Sequence, residues 1–342
     1  MRGAEGLGIW YNTVSMKELI KKNPLADKLI FKIKLKKEYG YDSSFFARNY
    51  SHSDNTRKKD SYNIILILHS IEKGLSSEKP RRFGNKKIKE LMALIDSYTK
   101  YEGYESDFSF VYAINTLRSY VLFYRSHKWT GAEEYRAASE FVEKYGAIAK
   151  MDAGSITIKR KDYEKYSRVD YGAFLRSRHS VRKFRKEKLK RSDLECAVEM
   201  ASLTPSACNR QMCKVYYVEN SSKRELIIDK AQGFGGFDRG TINLLLITFD
   251  VSANYFIGER NQGWLNAGLF SMNLVNALHS LGIGSCFCQF GNSASEEEEI
   301  KECLGIPKSE RIAVLIASGY YCDENQIPCS PRKQLREYLT II

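Results

Sequence analysis

The stretch "RSRHSVRKF", residues 176–184, places an apolar residue inside a basic run. Four of its nine residues are Arg or Lys, and Val181 lies among them. In an extended chain alternate side chains lie on the same side, so Arg178, Ser180 and Arg182 would project together. A hydroxyl between two guanidinium groups suits a phosphate or another anionic ligand. Taken alone, the stretch is read more simply as a solvated basic loop.

Composition indicates a globular protein with a basic first half. The 342 residues are 43% hydrophobic and 28% charged, which is long enough and apolar enough for two domains. The formal net charge is +13, yet acidic residues outnumber basic ones after residue 190. The excess charge of the first half predicts attraction to an anionic partner, such as lipid, nucleic acid or an acidic substrate.

The eight cysteines all follow residue 195 and form neither a CxxC nor a zinc-finger spacing. We therefore expect free thiols, a cytoplasmic location and no metal. The long apolar segment 263–281 carries several polar residues, which favours a core or interface helix over a membrane span.

Periodicity predicts two kinds of region along the chain. Apolar residues recur at helical spacing before residue 150, with Asp60 a candidate N-cap. Later, helical segments alternate with β-rich runs at 214–219, 242–249, 285–291 and 311–321. This order predicts an α+β fold. The predicted parts are a non-native or extended N-terminus (1–15), a basic helical domain (16–150), a linker (151–169) and a C-terminal domain (170–342).

A second stretch, "TPSACNRQ" at residues 204–211, ends a predicted helix. Its small residues allow close backbone approach to a flat ligand, and its two amides donate and accept hydrogen bonds at once. Alone it is only a loop. No G-x-G-x-x-G, P-loop lysine or H-E-x-x-H motif accompanies it.

Together, "RHSVRKF" and "TPSACNRQMC" resemble the nitroreductase family of flavoenzymes. The segments "GLFSMNLVNALHSLGIGSCFCQF", "LGIPKSERIAVLIASGYY" and "SPRKQL" follow in the family's order, so the resemblance covers roughly residues 170–342. It implies a central, mainly antiparallel sheet flanked by helices, here preceded by an all-α domain. It also implies FMN held at the interface of a homodimer.

The resemblance assigns cofactor-binding roles residue by residue. Arg178, His179 and Ser180 would meet the phosphate and ribityl chain, and Arg182 the flavin N1 and O2 edge, where negative charge develops on reduction. The loop over the flavin is matched by Pro205, Ser206, Ala207, Asn209 and Gln211. The segment that approaches N5 is matched by Phe287, Cys288 and Gln289, and the phosphate-binding tail by Arg332 and Lys333. No catalytic residue is assigned, because the flavin performs the chemistry.

Three departures from the family pattern concern the substrate. Met212 and Cys213 replace Pro-Trp, "GFGGFDRG" (233–240) has no clear counterpart, and Gln289 stands where some members have Glu. Arg239 in that segment is a candidate second cation.

The N-terminal motif "HSIEKGLSSEKPRRFG" (69–84) lies outside the resemblance. His69 and Glu72 share a helix face, and a basic cluster follows. This is either a helix end with a solvated turn or a docking site for an anionic partner.

These features predict an FMN-dependent oxidoreductase. NADH or NADPH would supply hydride in a ping-pong cycle, and a nitro-, quinone- or enone-like acceptor would be reduced. One alternative is a flavoenzyme of the same fold that dehydrogenates a biosynthetic intermediate or fragments the flavin. Another is a scaffold protein that works through its basic helical domain.

Overall fold

The computed structural model describes residues 24–52, 56–77, 79–159, 169–231, 233–328 and 330–342. The predicted extended N-terminus, the first residues of the predicted helical domain (16–23) and residues 160–168 of the predicted linker lie outside the described residues. The boundary between two compact units falls between Ala47 and Arg48. Apart from the first helix, everything described below belongs to the second unit.

The described residues contain ten α-helices, five on each side of residue 160. The bounds are α1 Pro24–Asn49, α2 Arg57–Leu75, α3 Asn85–Tyr98, α4 Phe108–Ser126, α5 Glu133–Lys144, α6 Tyr171–Ser177, α7 Arg191–Ser202, α8 Ser221–Lys230, α9 Gln262–Ser280 and α10 Ala294–Leu304.

Helices α2 to α5 pack around their own apolar core. Helix α2 begins after Thr56, whose hydroxyl accepts from the N–H of Lys59 at 3.3 Å. Its apolar residues, such as Ile64 and Leu68, recur on one face and are fully buried. Helix α4 supplies the centre of this core, and tyrosines such as Tyr120 complete it. The helical spacing of apolar residues before residue 150 therefore produces an all-helical layer.

Four antiparallel strands form one sheet in the order β1-β2-β4-β3. The strands are β1 Cys213–Tyr217, β2 Asn243–Asp250, β3 Ile283–Cys288 and β4 Glu310–Tyr320. Every residue of β2 is buried, because apolar clusters cover both faces of the sheet. Leu244 and Leu246 face one cluster, and Leu245 and Ile247 face the other, as strand alternation requires.

Charged and backbone contacts join the helical layer to the sheet. Lys58 on α2 forms ion pairs with Asp250 at the end of β2 and with Glu310 at the start of β4. Both carboxylates are at most 1% exposed. Burial would lower the pKa of Lys58, but these two negative charges raise it above its usual value. In addition, the N–H of Ser51 donates to the carbonyl of Asn254 at 2.9 Å.

The structure confirms the predicted fold class, an α+β domain with an antiparallel sheet behind an all-helical region. Each predicted β-run contains a strand, with ends displaced by one to three residues. The predicted N-cap at Asp60 is wrong, because Thr56 caps the helix four residues earlier. The domain limits at 150 and 170 stay predictions. No helix in the described part of the chain is long and apolar enough to cross a membrane.

Candidate functional site

The basic segment 176–184 runs alongside the sheet. Ser180 bridges to Ser285 on β3, and the N–H of Val181 donates to the Ser285 carbonyl at 3.1 Å. Val181 and Phe184 are buried at 2% and 3% exposure, and Phe184 bridges to Tyr321 just after β4. The apolar residues therefore pin the segment to the sheet in an extended conformation.

The side chains predicted to project together all lower the pKa of one group, the thiol of Cys286. Hydrogen bonding with Cys288 lowers the pKa of Cys286, burial opposes this, and the charges of Arg182 and Arg178 and a bond with Ser180 lower it further. Positive charge therefore converges on the β3 strand just before Phe287–Gln289, the segment predicted to approach N5.

His179 is exposed, and Arg178 is half-buried. Both lower the pKa of His279, after the larger effect of burial. His279 also bonds the hydroxyls of Ser177 and Tyr321, each at 2.8 Å. The histidine thus sits beside the positive cluster with its pKa below the usual value.

The end of β3 carries three of the predicted flavin contacts. Phe287 is 41% exposed, Cys288 is buried and Gln289 is exposed. Gly233 packs directly against this backbone, since a Cβ placed on it would lie 2.3 Å from the nitrogen of Gln289. A side chain at Gly233 is therefore excluded.

Segment 233–240, which has no clear counterpart in the family pattern, lies next to Arg182. The Arg182 guanidinium lies 6.0 Å from the centroid of the Phe237 ring, within cation–π range. Arg239, the candidate second cation, instead pairs with Asp229 at 2.5 Å and Glu225 at 3.6 Å on α8. The side chain of this segment that lies near Arg182 is therefore Phe237, whereas Arg239 is paired on α8.

The loop 204–211 has a strained backbone. Cys208, Asn209 and Gln211 have φ values of 51°, 55° and 48°, in the left-handed region that residues with a Cβ rarely adopt. The N–H of Gln211 donates to the hydroxyl of Ser206 at 2.9 Å. Such conformations persist only where the surroundings enforce them.

Arg210 holds the loop in this conformation from inside the protein. It is 1% exposed, and both terminal nitrogens bond the carboxylate of Glu259, at 2.8 and 2.5 Å. It also donates to the carbonyls of Ala207 and Ala253, at 3.0 and 2.5 Å. Arg210 was not predicted as a functional residue, and it anchors the loop.

A cavity of about 430 Å³ lies beside the loop, between α7, α9 and β1. Three predicted site residues line it together with apolar side chains: Pro205, Ser206, Gln211, Val198, Met212, Val215 and Phe270. Ala207 and Asn209 form the turn beyond this wall. The loop therefore borders a space of small-molecule size.

The helical layer reaches the loop through α2, which contacts the turn Ala207–Asn209. Glu72 near the end of α2 accepts a hydrogen bond from the hydroxyl of Tyr112 on α4 at 2.5 Å. Tyr112 was not singled out by sequence; no short-range pattern signals a contact between residues 40 positions apart.

The tail residues Arg332 and Lys333 are exposed. Arg332 donates to the carbonyl of Ser330 at 2.6 Å, and Lys333 lies 3.7 Å from Glu337. Among the described residues no hydrogen bond or ion pair joins the segment 176–184 to the tail or to the loop 204–211. The structure thus brings the basic segment and the end of β3 together and leaves the loop and the tail apart from them.

The sequence model of the nitroreductase family matches residues 175–234 and 243–320. No curated protein matched the chain.

Solved structures with similar folds include three bacterial proteins. A nitroreductase family protein from Streptococcus pneumoniae is 22% identical, with a TM-score of 0.43, covering 51% of this chain and 100% of its own. An FMN-dependent nitroreductase from Clostridium difficile is 23% identical, with a TM-score of 0.39 and coverages of 46% and 91%. A nitroreductase family protein from Clostridium novyi is 18% identical, with a TM-score of 0.40 and coverages of 44% and 86%. The C-terminal region of this chain is therefore similar to the nitroreductase family.

Proposed function

We propose that this protein is an FMN-dependent oxidoreductase that uses NADH or NADPH to reduce a nitro-, quinone- or enone-like organic acceptor. The observation that carries the proposal is the pairing of the basic segment 176–184 with β3, next to Phe287–Gln289. Ser180 bridges to Ser285 there, and the N–H of Val181 donates to the Ser285 carbonyl at 3.1 Å. A family match locates the fold, whereas this pairing of a basic segment with the end of β3 supports an anionic ligand at one place in it.

The donor set fits the parts of FMN. Guanidinium and hydroxyl groups are suited to a phosphate, so Arg178 and Ser180 would hold it, with exposed His179 beside them. Arg182 would face the N1 and O2 edge. The flat ring would meet the end of β3 at exposed Phe287 and Gln289, whose backbone Gly233 packs against.

The loop and the tail would complete the cofactor site from elsewhere. We propose that Pro205, Ser206, Ala207, Asn209 and Gln211 contact the flavin ring, and that Arg332 and Lys333 grip the phosphate. These groups are not joined to the basic segment within the described chain, which agrees with a site shared between two copies.

Bound FMN would accept two electrons from the nicotinamide and pass them to the acceptor. The protein's own residues bind, orient and supply charge. Arg182 stabilises the negative charge that reduction adds, and it is held by the buried neighbours Val181 and Phe184. We assign no side chain as general acid or base.

Chromophore analysis tests this proposal. We expect the purified protein to release FMN on denaturation, and the bound flavin to bleach with NADH or NADPH. If FMN is bound but neither NADH nor NADPH bleaches it, the result would favour the alternative of a flavoenzyme of the same fold with other chemistry. Protein that binds no FMN after attempted reconstitution would overturn the proposal and favour the scaffold.

We also propose a homodimer formed through α9. Leu265, Leu269 and Met272 on this helix are 58%, 49% and 36% exposed and follow one another at helical spacing. Light scattering of the flavin-loaded protein should give twice the chain mass of 39.3 kDa. Replacing Leu269 with lysine should shift the population toward monomer, whereas a replacement of exposed Lys223 on α8 should not. A flavin-loaded monomer at micromolar concentration would contradict the dimer.

A further inference from the structure

The cavity between α7, α9 and β1 has a mainly apolar wall. The apolar side chains come from these three elements and from the residue before β1; they are Val198, Met212, Val215 and Phe270. The volume of about 430 Å³ lies within the range of small-molecule sites in proteins. A wall of this kind favours a ligand with an apolar body, because binding removes apolar surface from water.

The ionisable groups at this cavity offer no free positive charge. Lys214 is the one cation among the described residues that line it, and its ammonium group donates to the carboxylate of Glu310 at 2.8 Å. The hydroxyl of Tyr216 donates to the same carboxylate at 2.9 Å. Burial raises the pKa of the Cys213 thiol to about 12, so this thiol is uncharged at neutral pH. The cavity therefore suits a neutral ligand better than an anion.

Two hydroxyl groups of the wall donate to backbone carbonyls instead of facing a ligand. Ser202 donates to the carbonyl of Glu199 at 2.7 Å. Thr204 donates to the carbonyl of Ala201 at 2.6 Å, and its oxygen accepts from the side chain of Asn273 at 2.7 Å. These hydroxyls are therefore already satisfied by the protein.

Asn266 on α9 lines the cavity and keeps a hydrogen-bond donor unused. Its side-chain oxygen accepts from the amide of Gln262 at 3.0 Å. Its side-chain nitrogen has no hydrogen-bond partner within the part of the chain that the structure describes, although the residue is only 3% exposed. A buried donor without a partner is destabilising. A ligand oxygen that accepts from this nitrogen would remove that penalty.

We propose that this cavity binds the organic acceptor of the enzyme, and that Asn266 donates to an oxygen of that acceptor. The acceptor is neutral and mainly apolar, such as a quinone, an enone or a nitroarene. A molecule with a carboxylate or phosphate would bury a charge without a counter-ion. The inference rests on the proposed function, because the loop 204–211 that borders the cavity is the one assigned to the flavin.

Binding of two matched ring compounds to the FMN-loaded protein tests the role of Asn266. A methylnaphthoquinone has two carbonyl oxygens, and methylnaphthalene has the same carbon skeleton without them. Calorimetry without nicotinamide measures both Kd values with no turnover. Asn266→Leu keeps the approximate size of the side chain and removes the donor. Loss of one neutral hydrogen bond corresponds to about a 2- to 12-fold rise in Kd, which we expect for the quinone and not for the hydrocarbon.

Two further variants control for effects on the fold. Asn276→Leu is the matched control, because Asn276 is a half-buried amide on the same helix that does not line the cavity. It should leave both Kd values unchanged. Val198→Phe adds bulk to the wall from α7, so it should weaken the binding of both ring compounds.

The charge preference is tested on the natural protein with a second matched pair. Nitrobenzyl alcohol and nitrobenzoate share a ring and a nitro group, but only nitrobenzoate carries a negative charge at neutral pH. We expect the alcohol to bind more tightly to the FMN-loaded protein. Tighter binding of nitrobenzoate would overturn the assignment of a neutral acceptor.

The outcomes separate the cavity from the proposed function. Protein that binds no FMN overturns the proposed function and the acceptor role with it. Protein that binds FMN and is bleached by NADH or NADPH, but whose affinity for the quinone is unchanged by Asn266→Leu and by Val198→Phe, overturns the cavity site alone. Equal losses for Asn266→Leu and Asn276→Leu do the same, as does quinone binding that occurs only in the absence of FMN.

Discussion

Replacing Arg210 with methionine will lower the free energy of unfolding by about 3–5 kcal/mol, the usual cost of leaving one partner of a buried ion pair. Arg210 is 1% exposed, and the side chain of its partner Glu259 is 12% exposed. Methionine fills part of the space, but the carboxylate loses its guanidinium partner and the carbonyl of Ala253 loses the hydrogen bond from Arg210. Chemical denaturation of both proteins measures the difference.

Two further variants decide whether the unpaired charge is the cause. Arg210→Met combined with Glu259→Met removes both charges, so it should be more stable than Arg210→Met alone. Arg239→Met breaks an ion pair with Asp229 on the exposed surface, and it should cost far less than Arg210→Met, because water screens exposed charges. Equal losses for Arg210→Met and Arg239→Met would contradict the anchoring role.

The same variant should change the response to acid. Burial raises the pKa of Glu259, but the bonds from Arg210 and from the N–H of Tyr255 bring it below its usual value of 4.5. A carboxylate with a lowered folded-state pKa stabilises the fold above its unfolded pKa and loses that contribution as the pH falls through the folded value. Arg210→Met removes a main cause of the lowering, so its unfolding free energy should fall less than that of the natural protein below about pH 4.5.

The sequence predicted best those elements whose pattern is local. Strand β2 is an uninterrupted apolar run, because both faces of the sheet are covered, and its limits were predicted to within one residue. The cap of α2 was harder. Asp60 and Thr56 are both good N-cap residues, and what decides between them is distant: the Asp60 carboxylate accepts from the Tyr101 hydroxyl at 2.8 Å.

The candidate site also contains some residues that a local pattern predicts and others that only contacts distant in sequence position. Alternation along an extended chain predicts that Arg178, Ser180 and Arg182 project together, and their joint role stays a prediction. It could not show that Arg210, also in a basic and polar stretch, turns inward to Glu259, 49 residues away. Nor could it link Glu72 on α2 to the hydroxyl of Tyr112 on α4, 40 residues away. Pairings of this kind are fixed by packing between layers, and no local spacing encodes them.

Arg178→Ala and Arg182→Ala should damage the proposed FMN site in opposite ways. Arg178 would pair with a phosphate whose charge is the same in both redox states of the cofactor. Its loss should weaken the binding of oxidised and reduced FMN equally, by about 1.5–3 kcal/mol, or roughly 10- to 150-fold in Kd. The reduction potential of the bound cofactor should stay near that of the natural protein.

Arg182 would face the ring edge where negative charge appears only on reduction. Its loss should destabilise the reduced cofactor selectively and lower the potential by about 30–60 mV for a two-electron couple. Lys183→Ala is the matched control, because Lys183 is an exposed base in the same segment to which the proposed site assigns no role. It should change neither Kd nor potential.

Spectroelectrochemical titration of the three reconstituted variants, beside equilibrium binding of FMN, measures both quantities. The geometry favours the stated order, since Arg178 is half-buried beside Tyr321 and His279, whereas Arg182 is exposed near Phe237. A shifted potential in Arg178→Ala with an unchanged one in Arg182→Ala would reverse the two roles. If all three variants behave like the natural protein, the segment is a basic surface strand, and its charge must be explained by a partner other than FMN.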